Sequence, residues 1–224
     1  ALYQAFASGR QLQLPPLPLQ YADYAAWQRR WLRGEALEAQ LAYWRQQLAG
    51  MPAALELPAD HPRPAKPSFK GARISFEVQK DSLAVLARRE GATLYMVLLG
   101  ALQVVLGRWS NQDDVVVGSP IAGRTHRKTE GLIGFFINNL VMRTDLSGDP
   151  TFAELLGRVR ETALGAYAHQ DLPFEKLVSE LHPERDLSRQ AVFQVMFTLQ
   201  NMQLSELTLP GVSLSPIYEE HTSS

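Results

Sequence analysis

Residues 93–109, Thr-Leu-Tyr-Met-Val-Leu-Leu-Gly-Ala-Leu-Gln-Val-Val-Leu-Gly-Arg-Trp, form a helical segment that is apolar nearly all round. A helix with no polar face must be covered on several sides, so a chain containing one has to build layers around it. Its longest apolar stretch, 94–102, ends at Gln103 and falls well short of the roughly 20 residues needed to cross a bilayer. It therefore predicts a core helix and no membrane contact.

The covering layers can be read from the segments around it. Residues 114–122 are a Val-rich strand, and 136–144 a second. Thr151 followed three residues later by Glu154 has the capping-box form, and the helix it opens carries Phe152, Leu155, Leu156, Val159, Ala163, Ala166 and Tyr167 on one face. Pro173 suits the first turn of another helix, with Phe174, Leu177, Val178 and Leu181. Phe193, Val195, Phe197 and Leu199 alternate with polar or flexible residues and predict a strand; Ile74, Phe76 and Val78 predict one as well. Between them, Asp81 or Ser82 can cap a helix bearing Leu83, Leu86 and Ala87 that stops at Gly91. The expected fold class is α/β, in the α+β two-layer sense, with a mixed sheet flanked by helices.

Residues 1–69 follow a different regime. Residues 1–6 read as the tail of a helix ended by Ser8 and Gly9, with a proline linker over 14–19. Tyr24, Trp27 and Trp31 then recur at helical spacing, as do Leu37, Leu41, Trp44 and Leu48; both sets are read as core packing. Residues 52–67 are rich in proline and predict a surface loop. The expected division is 1–69, a helix end plus a helical and proline-rich linker, and 70–224, the sheet-bearing unit.

Several chemistries are excluded by residue type. With 22 basic and 23 acidic residues the net charge is -1, so no nucleic-acid surface is implied. The absence of cysteine removes thiolate nucleophiles and sulfur-ligated metal sites. His61, His126, His169, His182 and His221 form no pair at metal-binding spacing, and no Gly-x-Ser-x-Gly elbow occurs. Residues 118–125 come close to a phosphate-binding loop, but Pro120 deletes a backbone donor and Arg124 stands where the lysine would be.

Two polar clusters stand out. His169-Gln170-Asp171 is dense in polar groups, although Gln and Asp near a helix start also read as capping residues. Gly131 and Gly134 precede a strand in which Asn138 and Asn139 must point to opposite faces. A buried amide there needs partners, or costs about 1–3 kcal/mol.

The order and spacing of these segments resemble the condensation domain of nonribosomal peptide synthetases. Tyr21-Ala22-Asp23-Tyr24-Ala25-Ala26-Trp27 is similar to that family's Tyr-x-Asp-aromatic-Ala-x-Trp motif. Ile133-Gly134-Phe135-Phe136-Ile137-Asn138-Asn139, with Arg143, resembles its Ile-Gly-x-Phe-Val-Asn-Thr motif. His169-Gln170-Asp171-Leu172-Pro173-Phe174-Glu175 resembles its His-Gln-Asp-x-Pro-Phe-Glu motif. Arg185-Asp186-Leu187-Ser188-Arg189 before Phe193 resembles its Arg-Asp-x-Ser-Arg motif. The family's catalytic His-His-x-x-x-Asp-Gly is absent, since no two histidines are adjacent. The resemblance thus implies the C-terminal half of such a domain, cut after the active-site motif.

That resemblance implies a chloramphenicol-acetyltransferase-like half, and amide formation between thioesters on the phosphopantetheine arms of donor and acceptor carrier proteins. No cofactor or metal is bound directly and no catalytic residue lies in this half. The implied partners are the N-terminal half, both carrier proteins and an adjacent adenylation domain, in the cytoplasm. Arg124 matches the arginine that pairs with the aspartate of the absent motif, and without that partner it is expected to be exposed or rehydrated. Asn138, Asn139 and the 169–175 segment, with His169, Gln170 and Asp171, are expected to line or brace the tunnel, and Arg185 and Arg189 are the corresponding residues of the last motif, with a tunnel or structural role. The alternatives are an epimerisation or heterocyclisation relative, or a non-catalytic carrier-binding module.

Overall fold

Three helices lead the chain: α1 (Leu2–Ala7), α2 (Tyr21–Trp31) and α3 (Gly34–Leu48). Then come β1 (Lys70–Gly71), α4 (Lys80–Arg89), α5 (Leu94–Ser110), β2 (Asp114–Ile121), β3 (Asn138–Asp145), α6 (Phe152–Ala168), α7 (Phe174–Leu181) and β4 (Thr222–Ser223). The structure is a computed structural model that describes residues 2–10, 16–62, 64, 70–181, 192–200, 209, 211–212 and 222–223.

The centre is the ladder of β2 and β3, antiparallel from Asp114 opposite Asp145 to Ile121 opposite Asn138. Val115, Val116 and Val117 are buried in succession, as are Leu140, Val141 and Met142. Successive strand residues point to opposite faces, so both faces of this ribbon are covered, which explains a continuous apolar run where a half-exposed strand would alternate. On its far edge β2 meets Met196 through a parallel bridge: Gly118 N–H donates to Val195 O at 2.8 Å and Phe197 N–H to Gly118 O at 2.8 Å. The antiparallel pair and the parallel bridge give the mixed sheet.

The all-round apolar helix is α5. It packs against β2, α4 and α6, and Met96, Val97, Leu99, Gln103 and Leu106 are buried. Thr93 caps it by accepting from Met96 N–H at 3.2 Å. Gln103, fully buried, donates from Nε2 to Met142 O at 3.1 Å and so ties the helix to β3. The capping box of α6 is present in both directions: Glu154 N–H donates to Thr151 Oγ1 at 3.3 Å, and Thr151 N–H to Glu154 Oε2 at 2.8 Å. Leu41, Trp44 and Leu48 of α3 join the same core cluster as the sheet.

Three expectations change. Ile74, Phe76 and Val78 lie outside the short β1, which pairs only through Lys70 and Gly71, and all three side chains are exposed. Alternation marks a side chain's capacity for a half-buried strand, but a strand exists only where a neighbour takes its hydrogen bonds. The segment around Phe193 is likewise a single bridge at Met196, because among the described residues only Gly118 pairs with it. The aromatic stripe of α2 is not core: none of its residues is buried, and Trp27 and Trp31 are 37% and 39% exposed. The helix lies along the outside, so its rings are covered on one side only.

Candidate functional site

A cavity of about 210 Å³ opens where α2, the turn after β2, the segment before β3 and the α6–α7 connection meet. Tyr21, Tyr24 and Gln28 line it from α2. These three sit at positions i, i+3 and i+7, so helical periodicity places them on one face.

Phe136 organises this corner. Its ring meets Tyr21 edge-on at 5.3 Å and Tyr24 at 4.8 Å between centroids. The Arg124 guanidinium lies 4.2 Å from the same ring centre. Gly123 has φ of +62°, a backbone conformation favoured by glycine, and a Cβ there would collide with the Phe136 carbonyl oxygen. Gly134 is constrained by space: a Cβ would run into the Tyr21 ring, whose hydroxyl donates to Phe135 O at 3.0 Å.

The lower wall is held by Asn138. Its Nδ2 donates to Gln170 O and Leu172 O, both at 2.9 Å, and its Oδ1 accepts from Phe174 N–H at 2.9 Å. The buried-amide question raised by the sequence is answered for this side chain, since protein groups satisfy the whole carboxamide. Gln170 adds a bond from Nε2 to Tyr167 O at 2.7 Å. Asp171 and Glu175 face the cavity from this wall. Burial, then the Asp171 carboxylate, then Tyr21, push the Tyr24 hydroxyl above the usual tyrosine range.

The other expected residues sit apart. His169 ends α6 with its ring stacked on Tyr43 at 3.9 Å and its Nδ1 donating to Gly165 O at 2.8 Å, while its carbonyl accepts from Trp44 Nε1 at 3.0 Å. That is a packing role outside the cavity. Asn139 stands opposite Pro120 in the ladder and is half-buried. Arg124 is half-buried over Phe136 and donates to Thr129 O, a correction to the expectation of an exposed or rehydrated side chain. Its ring partner, Phe136, comes from this same chain. Arg143 grips Asp114 through Nε and Nη2, at 2.9 and 2.7 Å, and gives Nη1 to Gln47 O and Ala49 O. Arg185 and Arg189 lie outside the described residues.

Sequence reasoning missed Tyr21, Tyr24, Gln28 and Phe136 as cavity residues. The signal for the first three is the i, i+3, i+7 face of α2, which reads equally well as apolar packing. Among the described residues no three His, Asp or Glu side chains gather at metal-binding distance, and no single helix is long and apolar enough to cross a membrane.

Comparison with known proteins bears on this arrangement. Residues 1–223 match the family model of the condensation domain. A linear gramicidin synthase of Brevibacillus parabrevis is 57% identical over 220 residues, 97% of this chain and 3% of that protein. The chain thus spans a small fraction of the curated relatives it matches. Among solved structures, the X-domain from teicoplanin biosynthesis superposes with a TM-score of 0.86 and 33% identity, covering 99% of this chain and 52% of that one. The same X-domain in complex with OxyB gives a TM-score of 0.84 at 34% identity, covering 99% and 50%. The first condensation domain of the CDA synthetase shares the fold, with a TM-score of 0.70 at 20% identity over 94% of this chain and 45% of that one.

Proposed function

The chain belongs to the condensation-domain family, and from that premise we propose that it forms the C-terminal half of an amide-forming condensation domain of a nonribosomal peptide synthetase. The observation that carries this reading is the cavity. Tyr21 and Tyr24, Phe135 to Asn138, and Gln170, Asp171, Pro173 and Glu175 come from three of the motifs by which the sequence resembles the family, and they line one space. The 52% coverage of the X-domain chain supports the assignment to one half.

The reaction joins an acyl thioester on a donor carrier protein to an amine on an acceptor carrier protein. The amine nitrogen forms a bond to the thioester carbon, the carbon–sulfur bond breaks, and the thiol leaves with the proton given up by nitrogen. The phosphopantetheine arms enter as parts of the substrates. A thioester is already activated, so holding the two reactants together supplies much of the acceleration; good orientation is worth about 7–11 kcal/mol. This half contributes a wall of the water-poor channel in which they meet. The histidine motif comes from the other half, and Arg124 braces it by pairing with its aspartate. The carrier proteins and an adjacent adenylation domain are the partners, in the cytoplasm.

The test joins an N-terminal half carrying His-His-x-x-x-Asp-Gly to these residues and supplies both loaded carrier proteins. Product detected by mass spectrometry from the joined domain, and none from the 224 residues alone, is the expected result. Condensation by the isolated chain overturns it. The likeness to an X-domain solved with OxyB favours a second reading, a partner-binding module without chemistry. Stable carrier binding with no product from the joined domain would select it.

A further inference from the structure

We propose that Asn138 is a positioning residue whose carboxamide locks the 170–174 turn and thereby fixes Asp171 on the wall of the cavity that Tyr24 also lines. The inference rests on the reading of the cavity as the wall of an amide-forming channel, and it names which side chain sets that wall.

The side chain is matched to its surroundings group by group. A carboxamide has two N–H donors and one carbonyl acceptor. Both donors of Asn138 go to carbonyls of the turn, Gln170 and Leu172, and the acceptor takes Phe174 N–H. Pro173 has no N–H, so Phe174 carries the first free donor at the start of α7. Asn138 therefore caps α7 from β3 while gripping Gln170 and Leu172, the residues on either side of Asp171. Leu172 is buried at 3% exposure and seats the turn in the core. Asn138 itself is the first residue of β3, opposite Ile121 in the ladder, so the turn is referred directly to the sheet.

No other side chain does all three jobs. Aspartate keeps the acceptor but turns oxygen against two carbonyls. Serine and threonine are too short, and glutamine adds a methylene that displaces the amide from its partners. Asp171 and Tyr24 line the same cavity from opposite elements. The placement of Asp171 therefore depends on the turn that Asn138 holds.

The test has two arms. In the full chain with 13Cζ-labelled tyrosine, Tyr24 is assigned with Tyr24→Phe and its ionisation followed by NMR. Asp171→Asn lowers the pH at which Tyr24 ionises. Asn138→Ala and Asn138→Ser lower it too, and combining either with Asp171→Asn adds nothing further. Asn138 variants that fold and leave Tyr24 unchanged while Asp171→Asn moves it overturn the proposal, as does an Asp171→Asn that leaves Tyr24 unmoved. In the second arm, the domain joined to its N-terminal half is assayed with varied acceptor. Asn138→Ala is expected to lower kcat/KM by about 100-fold, the loss typical of a misplaced reacting group. An unchanged kcat/KM also overturns it. If the joined domain forms no amide at all, the functional reading fails, while the tyrosine titration still decides the role of Asn138.

Discussion

A methyl group at Gly118 tests how the 192–200 segment is held to the sheet. Gly118 sits in β2 without a positive φ, so the backbone accepts alanine and space decides the outcome. The new Cβ would fall inside contact distance of three atoms of the Phe193 ring, which is 3% exposed. Overpacking of this kind costs about 1–3 kcal/mol. If Phe193 moves, the segment also strains the two 2.8 Å hydrogen bonds that flank it, from Gly118 to Val195 and from Phe197 to Gly118. Each is worth about 0.5–1.5 kcal/mol. The expected loss for Gly118→Ala is therefore about 3 kcal/mol, or about 6–12 °C in Tm for a chain of this size. Thermal and urea unfolding of the wild type, Gly118→Ala, Phe193→Leu and the double variant would read it. The smaller leucine should relieve the collision, so the double variant should be more stable than the sum of the single losses by at least about 0.5 kcal/mol. A Gly118→Ala loss under about 0.5 kcal/mol, or strict additivity in the double variant, would refute the reasoning.

Gly134→Ala should separate α2 from the segment before β3, because the Tyr21 ring occupies the space of the new methyl; limited proteolysis would show earlier cutting near α2, and a wild-type pattern would count against this packing. Arg143→Met leaves Asp114 and the carbonyls of Gln47 and Ala49 without their donor. The Arg143 and Asp114 side chains are 20% and 34% exposed, so water softens the loss to about 2 kcal/mol by urea unfolding; Arg143→Lys should restore part of it, because lysine keeps the charge without the fork. Thr151→Ala should destabilise by about 1 kcal/mol at pH 7 through the lost cap of α6. The Thr151 hydroxyl and backbone N–H hold the Glu154 carboxyl below its ordinary range. A lowered carboxyl stabilises above its unfolded pKa, and that contribution fades as pH falls through the folded value. The gap between wild type and Thr151→Ala should accordingly narrow below about pH 4.5, and a gap that widens in acid would contradict the capping box.

The helices were legible because their signals are local. Thr93 and Thr151 announce two starts, and the stripe over Phe152 to Tyr167 announces a face, all within a turn or two of chain. The ladder of β2 and β3 was legible because both strands are apolar enough to be covered on both faces. The segments around Ile74 and Phe193 carry equally good alternation, yet pairing depends on a neighbour that no periodicity names. The site divides the same way. That the amide of Asn138 needed partners followed from chemistry, but which groups it would meet, 32 to 36 residues away, required the turn before α7 to be in place. The α2 stripe misled for a related reason: apolar rings at helical spacing fit a cavity wall as well as a core.

Arg124 shows what the fold prepares without supplying. Its guanidinium carbon lies 4.2 Å from the centre of the Phe136 ring and one of its five N–H donors goes to Thr129 O. Among the described residues no carboxylate forms an ion pair with it. That leaves four N–H donors for further partners. The contacts already present remove much of the rotamer entropy that an exposed arginine, with about 2 kcal/mol of it, would lose on pairing. Phe136 is in turn fixed by Tyr21 and Tyr24 and by the close approach of Gly123. The same ring that lines the cavity wall therefore presents the arginine; on the proposed function, one packed corner would set both the brace to the other half and the shape of the channel wall.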